Sequence, residues 1–113
     1  MNWIQFTKLN QLNEIIEESK KRPVLIFKHS TRCGISRFVL KTFKKEYDIP
    51  TNNLQLYFLD LLKNRDLSNM IAERFNVRHK SPQILIIKNG EVVYHESHNQ
   101  INVDAIKDVL NKE

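Results

Sequence analysis

The chain has 113 residues, of which 41% are hydrophobic and 27% charged, a composition that excludes a disordered or fibrous protein. No apolar run approaches the ~18 residues of a membrane span, and the first residues lack a secretory signal, so we expect a cytoplasmic protein with no membrane contact. The net charge of +5 is moderate, and the single cysteine excludes an internal disulfide, as suits a reducing compartment. We expect one domain spanning residues 1–113.

The first half of the chain predicts two helices around a buried strand. Apolar residues recur at helical spacing over residues 8–19, after a short strand at residues 3–6. Residues 24–27 are all apolar, as is typical of a strand covered on both faces of a sheet. The period then changes, and residues 34–47 predict a second helix that begins directly after Cys33.

The second half predicts a strand, a helix, a hairpin and a closing helix. The strand covers residues 54–61, and the helices lie around residues 67–75 and 103–110. Asn89 and Gly90 separate two apolar runs and predict a type I′ turn, because both turn positions need positive φ. The alternation of helices and strands predicts an α/β fold: a three-layer α/β/α sandwich with a central mixed sheet.

Cys33 is predicted to lie where a strand ends and a helix begins. In open α/β folds this carboxyl edge of the sheet holds the functional site, and the first helical amides there are unpaired. A thiolate at that position accepts their hydrogen bonds and lies at the positive end of the helix dipole. Lone cysteines are more often buried packing residues, so the alternative is a structural role.

Ser36 follows Cys33 by three residues, which places both on the same side of the helix. It is either a first-turn hydroxyl that completes the helix start, or the counterpart of the second thiol in a Cys-x-x-Cys pair. A hydroxyl cannot attack a disulfide. A mixed disulfide at Cys33 would therefore need an external thiol to resolve it.

Pro82 precedes an inner strand, and we predict a cis peptide bond between Ser81 and Pro82. This bond would turn the backbone of Ser81 toward the catalytic edge, where it could pair with an extended substrate chain. Arg78 and Lys80, just before it, form either a solvated loop or one wall of an anion-binding groove.

Nine basic residues occur between residues 20 and 45 before the first acid, Glu46. They form either a solvated basic face or a positive field around Cys33 that attracts anionic ligands. The charge alone does not indicate nucleic-acid binding, because no recognition fingerprint accompanies it, and we expect no nucleic-acid partner. The spacing of Cys33 and the four histidines fits no metal site.

The Cys-x-x-Ser after a strand and the Ser-Pro before a hairpin resemble the thioredoxin superfamily, and within it the YtxJ-type monothiol bacilliredoxins. The resemblance covers nearly the whole chain and is carried by residues 27–33, 35–36, 79–83, 89–90, 92–94 and 97–98.

The resemblance implies a thioredoxin-like fold and a cytoplasmic thiol–disulfide oxidoreductase. Its partners would be S-bacillithiolated proteins, and bacillithiol would be the thiol co-substrate, with no tightly bound cofactor. Cys33 would carry bacillithiol as a mixed disulfide, Ser36 would be the non-resolving partner and Pro82 the cis-proline. A second bacillithiol would release the first as bacillithiol disulfide, which a flavoprotein reductase recycles. We expect a monomer, in which Arg32, Arg78 and Lys80 hold the malate carboxylates of bacillithiol.

Gly34 departs from the family, which commonly has proline after the cysteine. Glycine restores an amide that can reach the thiolate. The sequence from Cys33 to Ser36 thereby also resembles the Cys-Gly-Phe-Ser motif of monothiol glutaredoxins, which hold a [2Fe–2S] cluster between two subunits. A cluster carrier, or a redox-dependent adaptor that docks partners at the Pro82 groove, remains the alternative.

Overall fold

A computed structural model describes residues 1–112. Within them, five strands form one sheet in the order β1-β3-β2-β4-β5. The strands are β1 (Trp3–Gln5), β2 (Val24–His29), β3 (Gln55–Asp60), β4 (Gln83–Lys88) and β5 (Glu91–Ser97). The first three in spatial order run parallel, whereas β4 is antiparallel to β2 and β5 antiparallel to β4. The sheet is therefore mixed, as predicted, and its antiparallel part begins at an inner strand.

Helices cover both faces of the sheet. They are α1 (Gln11–Glu18), α2 (Gly34–Glu46), α3 (Arg65–Phe75) and α4 (Val103–Lys112), with a 3₁₀ turn at His98–Gln100 before α4. Ile15 of α1 and Ile71 of α3 belong to one apolar cluster, while Phe43 of α2 and Ile106 of α4 belong to the other. The predicted three-layer α/β/α fold is confirmed.

β2 is the central strand and is buried along its whole length. Its side chains alternate between the two apolar clusters, with Ile26 in the first and Phe27 in the second. The ring of Phe27 lies edge-on to that of Phe43 at 5.3 Å and to that of Trp3 at 6.0 Å. These aromatic contacts hold α2, and with it the helix start at Cys33, against the sheet.

The β4–β5 turn agrees with its prediction, whereas α1 begins later than predicted. The turn before β5 has positive φ at Asn89 (52°) and Gly90 (77°), so the type I′ prediction is confirmed. Helix α1 begins at Gln11 and not at residue 8, because the Gln11 side chain accepts hydrogen bonds from the amides of Thr7 (2.8 Å) and Lys8 (2.9 Å). These bonds form a turn where the first turn of the helix was expected.

Among residues 1–112, none of the helices has both the length and the apolar character of a membrane-spanning segment.

Candidate active site

Cys33 is the N-cap residue of α2, with an extended backbone (φ −100°, ψ 118°). Its carbonyl accepts the first helical hydrogen bond from the Arg37 amide (3.0 Å), and its own amide donates to the Ser30 carbonyl (3.2 Å). The side chain is partly exposed, between exposed Arg32 and exposed Gly34. Cys33 is therefore not a sealed packing residue. Its side chain forms no capping hydrogen bond, so the predicted bonds from helix amides to the thiolate stay a prediction.

Ser36 lies one turn into α2 and is completely buried. Its Oγ is 2.7 Å from Nδ1 of His29 and accepts a hydrogen bond from the Ser30 amide (3.1 Å). Since Oγ already accepts from the amide, donation of its proton to Nδ1 satisfies both groups. The hydroxyl thus fastens α2 to the end of β2. Sequence patterns do not indicate a partner for His29, and only the fold brings its ring to Ser36.

Burial is the main reason that the pKa of His29 lies below 6.5. The positive charges of Lys44 and Arg37 lower that pKa further, while Asp60, its neighbour in the β2–β3 register, raises it. The imidazole is consequently neutral near pH 7, which is the state that can accept the Ser36 proton.

The peptide bond between Ser81 and Pro82 is cis, as predicted. Gln83 pairs with Lys28 in the antiparallel β4–β2 register, so Pro82 lies beside the carboxyl end of β2, from which the chain runs on to Cys33. The Pro82 carbonyl accepts a hydrogen bond from the His98 amide (2.9 Å), which ties this loop to the 3₁₀ turn.

A buried polar cluster supports the loop before Pro82 on the α3 side of the sheet. Nζ of Lys28, completely buried, lies 3.3 Å from the Ser68 carbonyl and 3.4 Å from Nδ1 of His79, which is also 2.9 Å from Ser68 Oγ. Burial lowers the pKa of Lys28 from its usual 10.5 to about 8. Burial, followed by the charges of Lys28 and Arg65, lowers the pKa of His79. No sequence pattern indicates this cluster, because its members are 11 to 51 residues apart.

A second contact fixes the same loop, since Gln83 Nε2 donates to the Arg78 carbonyl (2.9 Å). The Gln83 Oε1 and Ser81 Oγ atoms are buried without a hydrogen-bond partner among the described residues. Such groups are normally paired with protein, water or ligand. The residues on either side of Pro82 therefore each have a buried polar atom without a partner among the described residues.

We expect Lys28→Met to raise the free energy of unfolding at pH 7 by about 1–3 kcal/mol, because it removes a buried charge and keeps the volume. Below pH 8 both folded and unfolded Lys28 are charged, and the folded state carries the full desolvation penalty, at most ~3 kcal/mol at about 1.36 kcal/mol per pKa unit. Between pH 8 and 10.5 the unfolded chain binds more protons, so this group makes stability rise with pH.

Urea denaturation at pH 7 and at about pH 9.5 checks this prediction. The wild type should gain stability relative to Lys28→Met on going to the higher pH, whereas the exposed-site control Lys45→Met should follow the wild type at both. A Lys28→Met protein that is less stable than the wild type at pH 7 would contradict it.

The cations proposed for anion binding are all exposed. Arg32 adjoins Cys33, while Arg78 and Lys80 lie in the loop before Pro82. None of the three makes an ion pair within residues 1–112.

A Cβ at Gly34 would meet only Nη2 of Arg37, at 3.8 Å, so packing does not require glycine there. Among the described residues, no group of three or more His, Cys, Asp or Glu side chains could hold a metal ion.

Comparisons with known proteins agree with this geometry. A family model described as monothiol bacilliredoxin BrxC matches residues 4–106. A solved structure described as an oxidoreductase with a thioredoxin fold is 34% identical, with a TM-score of 0.79 over 95% of this chain and 92% of that one.

Two thioredoxins are similar in fold alone. That of Malassezia sympodialis is 14% identical with a TM-score of 0.74, covering 99% of this chain and 90% of its own. That of Trypanosoma brucei brucei is 15% identical with a TM-score of 0.74, covering 98% and 89%. With a Cys-x-x-Ser at the helix start, a cis-proline beside the end of β2 and a family model that spans most of its length, this chain belongs to the monothiol bacilliredoxin family and is a thiol–disulfide oxidoreductase of thioredoxin-like fold.

Proposed function

We propose that this protein removes bacillithiol from S-bacillithiolated proteins in the cytoplasm by monothiol exchange at Cys33. One observation carries the proposal: Cys33 is accessible at the start of α2, while the residue one turn on is a buried serine bonded to His29. The family match supports the same chemistry. A thiol placed in this way can attack a disulfide and form a mixed disulfide, but no second thiol lies beside it to resolve that bond.

In the first step the Cys33 thiolate attacks the bacillithiol sulfur of the mixed disulfide. The bond between bacillithiol and the substrate protein breaks, the substrate sulfur leaves as a thiolate that takes up a proton, and a new S–S bond joins bacillithiol to Cys33. In the second step a free bacillithiol thiolate attacks the same bacillithiol sulfur. Bacillithiol disulfide leaves, the Cys33 thiolate returns, and a flavoprotein reductase supplies the two electrons that regenerate bacillithiol.

The remaining site residues bind the reactants. We assign to Gly34 an amide directed at the sulfur, and to the backbone of Ser81 beside Pro82 the pairing with an extended segment of the substrate protein. Arg32, Arg78 and Lys80 are exposed at this edge and attract the anionic thiol to it. Residues 1–113 act as a single domain and a monomer, without a tightly bound cofactor.

Mass spectrometry tests the proposal directly. Mixing the protein with a bacillithiolated peptide should add one bacillithiol to Cys33 and free the peptide thiol, and added bacillithiol should then clear the adduct as bacillithiol disulfide. Cys33→Ala should show no transfer. Wild-type protein that leaves the bacillithiolated peptide intact would overturn the proposal.

Two further measurements separate this function from the alternatives raised by the sequence. A visible absorption band in the purified protein would favour an iron–sulfur carrier. Retention of partner binding by Cys33→Ser, with no transfer by the wild type, would favour an adaptor.

A further inference from the structure

We propose that a basic cavity between α2 and the end of β2 is the subsite for the dicarboxylate end of the small thiol that Cys33 exchanges. This inference rests on the proposed function and adds to it the place where the thiol is recognised. The cavity has a volume of about 270 Å³ and is lined by His29, Arg37, Leu40, Lys41 and Lys44. No role was assigned to these α2 cations by the sequence beyond a general positive field.

The cavity has the charge that a dicarboxylate needs. Arg37, Lys41 and Lys44 are spaced i, i+4 and i+7, so their side chains line one face of α2. None of the three makes an ion pair within residues 1–112. Asp60 is the carboxylate among residues 1–112 that raises the pKa of the His29 imidazole, whereas Arg37 and Lys44 both lower that pKa. The charges of Arg37 and Lys44 therefore act at His29 in the wall of the cavity, and no ion pair within residues 1–112 holds them away from a ligand.

Arg37 connects the cavity to the reacting residue. Its amide donates to the Cys33 carbonyl (3.0 Å), its Nη1 donates to the Thr31 carbonyl (2.8 Å), and its Nη2 lies 3.8 Å from the position of a Cβ on Gly34. The guanidinium is thus held against the loop that carries Cys33. Lys41 follows about 6 Å further along the helix axis, at ~1.5 Å per residue. A thiol bound at Cys33 can therefore extend its anionic end along α2.

The opposite side of α2 has the opposite character. Ile35 and Phe38 are 56% and 69% exposed, and they line a separate cavity with His98 and Asn99. The reactant has two unlike halves, an anionic small thiol and a protein chain. Because the small thiol is anionic, it fits the side of α2 that has the cations and not the apolar side. This places the carboxylates on α2 and not on the loop cations Arg78 and Lys80. All these cations are exposed, but those of α2 line a cavity, and a backbone carbonyl holds the Arg37 guanidinium beside it.

The test compares two mixed disulfides of one peptide, with bacillithiol and with neutral 2-mercaptoethanol. We expect Lys41→Gln/Lys44→Gln to slow transfer of bacillithiol to Cys33 about tenfold, equivalent to about 1.4 kcal/mol, and to leave transfer of 2-mercaptoethanol within about twofold of the wild type. The matched control Lys8→Gln/Lys45→Gln removes the same charge from exposed positions outside the cavity and should change bacillithiol transfer less than about twofold.

Each other outcome overturns the inference. Equal slowing by the cavity pair and by Lys8→Gln/Lys45→Gln would mean long-range attraction and no subsite. Slowing by Arg78→Gln/Lys80→Gln, with normal rates in Lys41→Gln/Lys44→Gln, would move the carboxylates to the loop. Failure of the wild type to accept bacillithiol, while it accepts 2-mercaptoethanol, would instead remove the proposed function on which the subsite rests.

Discussion

Ser36→Cys should make the protein release bacillithiol from Cys33 without any external thiol. The new thiol would lie one helical turn from the mixed disulfide, where side chains at i and i+3 are neighbours on the helix surface. It would attack Cys33 Sγ, form an internal disulfide and expel bacillithiol as a thiolate. Because the attack is intramolecular, we expect release about a hundredfold or more faster than in wild type exposed to about 1 mM external thiol.

The surroundings of Ser36 favour this reaction. Its Oγ is 2.7 Å from Nδ1 of His29, whose pKa burial holds below 6.5. A sulfur at the same position would therefore lie next to a neutral base that can take its proton, and the thiolate is the attacking form. In the wild type the Ser36 hydroxyl bonded to His29 cannot release bacillithiol. With cysteine at position 36, the same histidine would help that release by taking the thiol proton.

Ser36→Ala is the control, because it removes the hydroxyl and supplies no thiol. Its adduct should persist like that of the wild type until a thiol is added. Quenched-flow mixing, with acid as the quench, followed by mass spectrometry measures both the adduct and the internal disulfide. A Ser36→Cys adduct that persists without an internal disulfide would show that position 36 cannot reach the sulfur.

Phe27→Ala should lower the free energy of unfolding by about 3–5 kcal/mol, the usual result of truncating a large buried ring. Phe27 is completely buried on the central strand, edge-on to Phe43 at 5.3 Å and stacked on Phe58 at 6.4 Å. The truncation leaves a cavity directly beneath α2. Since α2 carries Cys33, we also expect the transfer rate to fall under conditions in which the variant remains folded.

Phe38→Ala gives the matched control on the neighbouring helix. Its ring is 69% exposed, so its loss should change the stability by no more than about 0.5 kcal/mol. Urea denaturation of the three proteins under one condition makes the comparison. A Phe27→Ala variant as stable as Phe38→Ala would mean that the aromatic contacts beneath α2 contribute little.

Much of the fold follows from short-range sequence patterns. The apolar run of β2 and the change of period after Cys33 predicted a strand and a helix, because side chains repeat every two residues in one and every 3.6 in the other. Asn89 and Gly90 predicted their turn, since few other residues adopt positive φ at both positions. The position of Pro82 before an inner strand predicted the cis bond, and the family resemblance implied the same bond.

The tertiary structure alone decided which polar groups meet. The contact of Lys28 with His79 spans 51 residues, and the cavity on α2 needs a histidine from β2 to complete its wall. The Ser36–His29 bond spans only seven residues, yet it forms because a strand and a helix fold back on each other at Cys33. Sequence patterns indicate the burial of one element at a time and the spacing of its apolar residues. Contacts between elements depend on how the elements pack, and packing is a property of the whole chain.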